Sequence, residues 1–310
     1  MIPVPIIAPY QPDEAAQWDR CVCESQSACL LFYRSYMDYH ADRFADASLT
    51  ARLDDRLVGV FPASAGKDGV CSHGGLTFGG WQFVPALPAE IRRQIHEATL
   101  DHYRQRGHVK LVIRVMPRFF LDVSGADERD STGMTEARTL TGAAVDLSLP
   151  EKLGVKRRPR AAKSLLNHEF MPSTVEEFWP LLMEVLAARH GVTPTHSLEE
   201  INLLLKRLPG QICTFKATQG QRLLAGAILY LSRDVAHVQY MATSPEGRDT
   251  HALDGLLVWL MRAYAGRLRW LSMGTSNERD GQINQGLLDY KLSFGAMPFE
   301  HDIQEYDLTK

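Results

Sequence analysis

The spacing of apolar and polar residues predicts a similar succession of elements in both halves of the chain. In the first half, two runs of strand character flank Asp54-Asp55, which predicts a hairpin with a tight turn. A third strand, a helix with its apolar residues on one face, and a short strand rich in β-branched residues follow. The predicted elements are strands over 49–53, 56–63 and 70–78, a helix over 88–106 and a strand over 109–115.

The second half repeats this order after a turn at Gln219-Gly220. Its predicted strands cover 212–218, 222–231, 236–242 and 268–273, with a helix before the last strand. Capping patterns predict two preceding helices, from Ser173 or Thr174 to Arg189 and from Ser197 to Arg207. The residues that follow the two turns are similar, but such a similarity is also expected between any two hairpins. The shared order of five elements favours an internal duplication.

This duplication predicts a mixed α/β (α+β) fold of two tandem domains. Each domain is expected to hold a mixed, mostly antiparallel sheet flanked by helices. The expected boundaries are 1–148 for the N-terminal domain and 166–310 for the C-terminal domain, joined by a basic linker over 149–165. A solvated connection and a phosphate-binding surface are both compatible with the charge of that linker.

Composition narrows the functional class. Hydrophobic residues at 45% and charged residues at 23% are typical of a folded globular protein. The apolar stretch over 223–231 is about half the roughly 20 residues of a membrane-spanning helix, so no span is expected. The net charge of −3 gives no general affinity for DNA. Five cysteines without a paired framework, and a first ten residues without a basic side chain, predict a cytoplasmic protein without a metal site.

Several strings resemble the tandem acyltransferases of the Gcn5-related N-acetyltransferase (GNAT) superfamily, in particular the FemAB-like enzymes. These strings are SYMDYHADRF over 35–44, SHGGLTFGG over 72–80, RHGV over 189–192, THSLEE over 195–200, NQGL over 284–287 and YKLSFG over 290–295. The resemblance implies transfer of an acyl group to an amine. The implied donor is acyl-CoA or aminoacyl-tRNA, with no tightly bound cofactor, and the implied acceptor is an amine-bearing small molecule, peptide or sugar.

The donor stays open because the phosphate loop is atypical. Acetyl-CoA enzymes of this fold hold the pyrophosphate on a Q/R-x-x-G-x-G/A loop, whereas residues 244–254 contain one glycine. Basic side chains offer another way to hold donor phosphates, including those of tRNA. The candidates for this contact are Lys156, Arg157, Arg158, Arg160 and Arg248.

Four residues are the candidates for the chemistry. Lys291 resembles the lysine in the F/Y-K-x-x-F string of Fem enzymes and is expected to stabilise the oxyanion, although an exposed strand lysine fits the pattern as well. His190 and His196 are candidate bases, because histidine titrates near neutral pH. Tyr240 is a candidate proton donor, or a core residue of its strand.

A further group of polar residues is expected to bind substrate, in a cleft between the two domains. Arg189 suits a carboxylate or phosphate, and His73 lies among glycines that allow a ligand to approach. Polar residues after the last parallel strand commonly contact ligands in α/β sheets. The candidates there are Thr275, Ser276, Asn277, Asn284 and Tyr290.

These observations predict an N-acyltransferase that transfers an acyl or aminoacyl group to an amine through a tetrahedral intermediate. Two alternatives stay open. One is a non-catalytic module of the same fold that binds tRNA or a sugar nucleotide. The other is a small-molecule acetyltransferase that binds CoA without the usual loop.

Overall fold

The computed structural model describes residues 4–67, 69–121 and 132–309, and for His190 it describes the backbone alone. The chain forms two compact units, the first made of residues 1–140 and 300–310, the second of residues 141–299. The helices are α1 (Ala15–Glu24), α2 (Arg34–Met37), α3 (Ala89–Gln105), α4 (Arg157–Asn167), α5 (Val175–His190), α6 (Leu198–Arg207), α7 (Pro245–Asp249), α8 (Ala252–Tyr264) and α9 (Gln285–Leu292). The strands are β1 (Ile6–Pro9), β2 (Ala45–Asp46), β3 (Leu49–Leu53), β4 (Arg56–Phe61), β5 (Ser64–Gly66), β6 (Gly69–Ser72), β7 (Gln82–Phe83), β8 (Lys110–Arg114), β9 (Glu136–Asp146), β10 (Glu169–Ser173), β11 (Ile212–Gln219), β12 (Arg222–Leu231), β13 (Val235–Thr243), β14 (Trp270–Thr275) and β15 (Met297–Asp307).

The first unit contains two sheets and a long helix. One sheet has the strand order β1-β3-β4-β7, and in the other the strands follow in the order β15-β8-β6-β5-β2. The predicted hairpin is confirmed, because Asp54 and Asp55 both have positive φ, as a type I′ turn requires. The third predicted strand is shorter than expected: β6 ends at Ser72, since His73 turns the chain with φ +61°.

The second unit is built on one sheet in the order β10-β11-β12-β13-β14-β9, of which residues 141–146 of β9 belong to this unit. Neighbouring strands are antiparallel except β13 and β14. Helix α8 shares a core with Ala225 and Ala227 of β12. Phe178 of α5 lies against Gly226, where a Cβ atom would be 2.2 Å from its ring. Because side chains alternate along a strand, α5 and α8 cover opposite faces of the sheet.

The predicted repeat is confirmed by the order of elements. Each unit contains a hairpin, a further strand, a helix and a strand parallel to the preceding one, with β6 and β8 corresponding to β13 and β14. The predicted capping boxes of α5 and α6 are also present, at Thr174 with Glu177 and at Ser197 with Glu200. In the part of the chain that the structure covers, no helix combines the length and apolar character needed to cross a bilayer.

The segment predicted as a linker belongs to the second unit. Residues 157–167 form α4 instead of an extended connection, and α4 packs on α8. Ser164 lies so close to Gly255 of α8 that a Cβ atom there would be 2.2 Å from its hydroxyl. The boundary between the units is found at 140/141, and the last strand returns residues 300–310 to the first unit. This boundary differs from the expected division at 148 and 166. The basic residues of the segment indicated a solvated connection, whereas they belong to an amphipathic helix.

Candidate functional site

The sheet of the second unit opens between β13 and β14. These parallel strands pair only from Val235 with Trp270 to His237 with Ser272. β13 continues along β12 to Thr243, whereas β14 turns at Gly274, whose φ is +72°. We call the space between β13 beyond His237 and β14 beyond Ser272 the split. Within the described ranges no strand pairs with the peptide groups that line the split, which suits the binding of a ligand.

Lys291 of α9 reaches the β14 side of the split. It is 2% exposed, and its Nζ donates to the carbonyl oxygens of Gly274 at 3.0 Å and Thr275 at 2.6 Å. Burial lowers the pKa of Lys291 to about 8. No carboxylate among the described residues pairs with this ammonium group. Lys291 is therefore a buried cation, protonated at neutral pH, with one of its three N–H donors left for a ligand. The alternative of an exposed strand lysine is wrong, since Lys291 lies in a helix and is buried.

His237 stands beside Lys291 and is not among the residues predicted from the sequence. Its Nδ1 is 3.0 Å from Ser272 Oγ. A Cβ atom on Gly274 would lie 3.6 Å from its Cε1, so the imidazole packs against the turn that Lys291 holds. Burial, together with the nearby charge of Lys291, lowers the pKa of His237 to about 4. A neutral imidazole and a buried ammonium thus share the base of the split.

A β-bulge in the pairing of β12 with β13 places Tyr240 on the same face of the sheet as His237, and Tyr240 contacts His196. The register shifts between Ile228 and Leu229, so that His237 opposes Tyr230 and Tyr240 opposes Ile228. Because the partners are two residues apart, His237 and Tyr240 share one face. The Tyr240 hydroxyl lies 2.7 Å from Nδ1 of His196, which is 4% exposed.

The structure thus joins Tyr240 and His196, two predicted catalytic residues, in one hydrogen bond. The backbone N–H of His196 also donates to the hydroxyl, at 3.4 Å. Burial raises the pKa of Tyr240. The tautomer of His196 sets which of the two groups, the hydroxyl or Nδ1, donates in the 2.7 Å hydrogen bond between them.

Most polar side chains of the loop after β14 form hydrogen bonds that fix the conformation of the loop. Asn277 accepts from the N–H of Thr141 at 2.8 Å and donates to the carbonyl of Gly281 at 2.8 Å. Asn284 caps α9 by accepting from the N–H of Leu287 at 2.9 Å. Among the residues described, the Ser276 hydroxyl is buried without a hydrogen-bond partner. The side chain of Ser276, a member of this predicted substrate-binding set, therefore keeps hydrogen-bonding capacity.

Tyr290 and Arg157 belong to a buried polar cluster below α9. The Tyr290 hydroxyl donates to Asp254 Oδ1 at 3.3 Å, and Arg157 forms an ion pair with the same carboxylate. The guanidinium also stacks on Tyr290 and Phe294, at 4.5 Å from each ring centre. Arg157 is 7% exposed. This arrangement differs from the predicted exposed contacts with donor and substrate, because the charge of Arg157 is already matched inside the unit.

The other predicted residues lie apart from the split or on the surface. Arg189 is exposed at the end of α5, and the side chain of His190 lies outside the described residues. His73 belongs to the first unit, where it is 3% exposed and its Nδ1 is 2.6 Å from the carbonyl oxygen of Phe78. Burial lowers the pKa of His73 to about 3, so it is a neutral core residue. The remaining cations, all exposed, are Lys156, Arg158, Arg160 and Arg248.

The segment at the place of the phosphate loop is folded on itself. Ser244 Oγ accepts from the N–H of Gly247 at 2.9 Å, and its carbonyl accepts from the N–H of Arg248 at 2.9 Å. The N–H groups of Thr250 and His251 also donate within the segment. These backbone donors are therefore not available to an anion in this conformation.

The comparisons with known proteins agree with this fold. Residues 154–292 match the family model described as an acetyltransferase (GNAT) domain. The chain has a tandem GNAT, FemAB-like fold. FemX is similar, with a TM-score of 0.70 at 12% identity over 97% of both chains. L-PGS from Bacillus licheniformis gives 0.61 at 11% identity, over 96% of this chain and 91% of that one. A tandem GNAT protein from the clavulanic acid biosynthesis pathway gives 0.51 at 14% identity over 99% of both chains.

No curated protein matches this sequence. The resemblance to solved structures is thus one of fold. The family model covers α4 to α9, the part of the chain that contains Lys291 and the split. No group of three or more potential metal ligands occurs among the residues that the structure describes.

Proposed function

We propose that this protein is an N-acyltransferase whose chemistry takes place in the split of the second unit. The observation that carries the proposal is the buried, unneutralised ammonium of Lys291, held by the carbonyls of Gly274 and Thr275. A buried charge without a partner is costly, and such groups cluster at functional sites. An anion that forms during reaction would supply the missing partner.

The reaction we propose follows from these groups. A neutral amine attacks the carbonyl carbon of the donor, a C–N bond forms, and the carbonyl electron pair moves to oxygen. The oxyanion faces the Lys291 ammonium, whose interaction is strongest at this stage. Collapse of the intermediate breaks the bond from the acyl carbon to the sulfur or oxygen of the leaving group. We assign His237, which is neutral, to receive the proton from the nitrogen and pass it to that leaving group.

The donor is an acyl-CoA or an aminoacyl-tRNA, and the acceptor is an amine-bearing small molecule, peptide or sugar. Acyl-CoA is the usual donor for the GNAT fold. The internally bonded amides of Gly247, Arg248, Thr250 and His251 favour the aminoacyl ester, because they do not offer the usual pyrophosphate contact. A thermal-shift measurement with acetyl-CoA separates the two donors. Ligand at about 100 times its Kd would add about 2.7 kcal/mol of stability, and no shift would favour charged tRNA.

One observation favours a second candidate, a non-catalytic module that binds tRNA or a sugar nucleotide. The Tyr240 hydroxyl, a predicted proton donor, is already bonded to His196. In such a module Lys291 would bind a phosphate group and no acyl transfer would occur.

Turnover by a Lys291→Met variant tests the catalytic proposal. We expect kcat/KM to fall about 100- to 1000-fold with acetyl-CoA or charged tRNA and a panel of amines, as on loss of an oxyanion-stabilising donor. Lys206→Met is the matched control, because Lys206 is exposed on α6. Full activity of the Lys291 variant would refute the oxyanion role. Binding of a donor by the wild type without any turnover would favour the second candidate.

A further inference from the structure

Helix α4 carries apolar residues on its outer face as well as on its inner face. Ala161 and Ser164 are buried against the second unit. On the opposite side of the helix, Pro159, Ala162 and Leu166 lie in one line and are exposed, Leu166 by 86%. We call these three residues the outer strip. A surface helix normally turns polar residues outward, so packing within the unit does not explain the outer strip.

The outer strip is flanked by cations without ion-pair partners among the described residues. Glu151, the carboxylate at the start of this segment, is already bound by Arg262 through contacts of 2.8 and 2.9 Å. The chain as a whole has a net charge of −3, so this concentration of positive charge is local. The exposed cations are Lys152, Lys156, Arg158, Arg160 and Lys163.

An apolar groove continues from this helix. The segment before α4 exposes Val155 by 92% and Leu149 by 58%, and both line a groove of about 820 Å³ within the second unit. Phe294 and Met297 form part of its wall, and Lys152 lies at the same groove. Apolar surface and cationic side chains are therefore adjacent along residues 149–167.

We propose that α4 and residues 149–156 form a docking surface for an anionic phospholipid membrane. The cations would contact lipid phosphates, while the outer strip, Val155 and Leu149 would enter the boundary between headgroups and acyl chains. A nucleic acid would match the cations but leave the apolar residues unmatched. Residues 149–167 also contain no aromatic side chain on which a base could stack. This surface is separate from the split, and the proposal does not depend on the catalytic one.

Co-sedimentation of the full chain with vesicles tests the proposal. We expect binding to vesicles of phosphatidylcholine with about 30% phosphatidylglycerol, little binding to phosphatidylcholine alone, and weaker binding as salt is raised. The triple variant Arg158→Glu/Arg160→Glu/Lys163→Glu should lower the partition coefficient by about 100-fold or more, since each cation near an anionic surface contributes about fivefold and the three factors multiply. Val155→Ser/Leu166→Ser should lower it about tenfold and keep the salt dependence.

The matched control changes the net charge equally at exposed cations elsewhere. Arg20→Glu/Lys206→Glu/Arg267→Glu should keep nearly all of the binding, provided that circular dichroism shows both triple variants folded. Equal loss in both triple variants would reduce the effect to net charge and overturn the proposal. Equal binding to both kinds of vesicle would overturn it as well. Binding of tRNA without vesicle binding, lost in the α4 variant, would assign the surface to nucleic acid instead.

Discussion

Replacing Lys291 by methionine removes a buried positive charge while keeping most of the volume of the side chain. In the folded protein, burial lowers the pKa of Lys291 from the ordinary 10.5 to about 8. Between these two values the unfolded chain binds more protons at this residue than the folded chain. The free energy of unfolding of the wild type must therefore rise with pH through this window, and this contribution is absent from Lys291→Met.

The size of this effect follows from the shift. One pKa unit corresponds to about 1.4 kcal/mol, so the wild type should gain roughly 2 to 3 kcal/mol relative to Lys291→Met between pH 7 and pH 10. Urea unfolding at four pH values in that interval measures the difference, and comparison with the variant cancels the other titrating groups. Lys206→Met, at an exposed lysine of α6, is the control for removal of a lysine as such.

A difference between wild type and Lys291→Met that stays constant with pH would refute this reasoning. It would mean that the amine reaches water in solution, and the proposed oxyanion role would lose its physical basis. The opposite slope would mean that an anion neutralises Lys291 in the folded state. Such an anion would raise the pKa, so that stability would be lost as pH rises.

Two further substitutions test the packing around the site. Arg157→Met should lower the free energy of unfolding by about 3 to 5 kcal/mol, because it leaves the carboxylate of Asp254 buried without its partner. Arg158→Met, on the exposed side of α4, should change the free energy of unfolding by less than about 0.5 kcal/mol. Similar values for both variants in urea unfolding would contradict the ion pair between Arg157 and Asp254. Gly226→Ala should cost about 1 to 3 kcal/mol, since the new Cβ atom would lie 2.2 Å from the ring of Phe178. An unchanged melting temperature for this variant would show that α5 can move away from the sheet.

Local signals in the sequence were sufficient to predict the elements of the repeat and the two capped helices. The turn at Asp54-Asp55 and the capping boxes of α5 and α6 depend on residues within four positions of one another, and all three are present. The order of elements in the two units was also predictable, because the duplication repeats the same local patterns. The resemblance to FemAB-like enzymes selected Lys291, which the structure places in the split.

Features that depend on distant contacts were not predictable. Residues 149–165 were interpreted as a linker because the sequence shows the charge of Arg157 but not its buried partner Asp254. His237 was missed because alternation along a regular strand would place it and Tyr240 on opposite faces. The bulge between Ile228 and Leu229 reverses that relation, and no local pattern marks it.

The division of the chain also has a consequence for the order of folding during synthesis. Residues 141–299 are continuous, so the second unit is complete once they have left the ribosome. The first unit is not, because Ile303–Asp307 pair with β8, and Tyr306 and Leu308 are buried in its core. The unit translated first is thus the last to be completed, and until then the edge of β8 stays open to other strands. Nascent chains that stop before this segment would expose that edge and are the species most prone to aggregate.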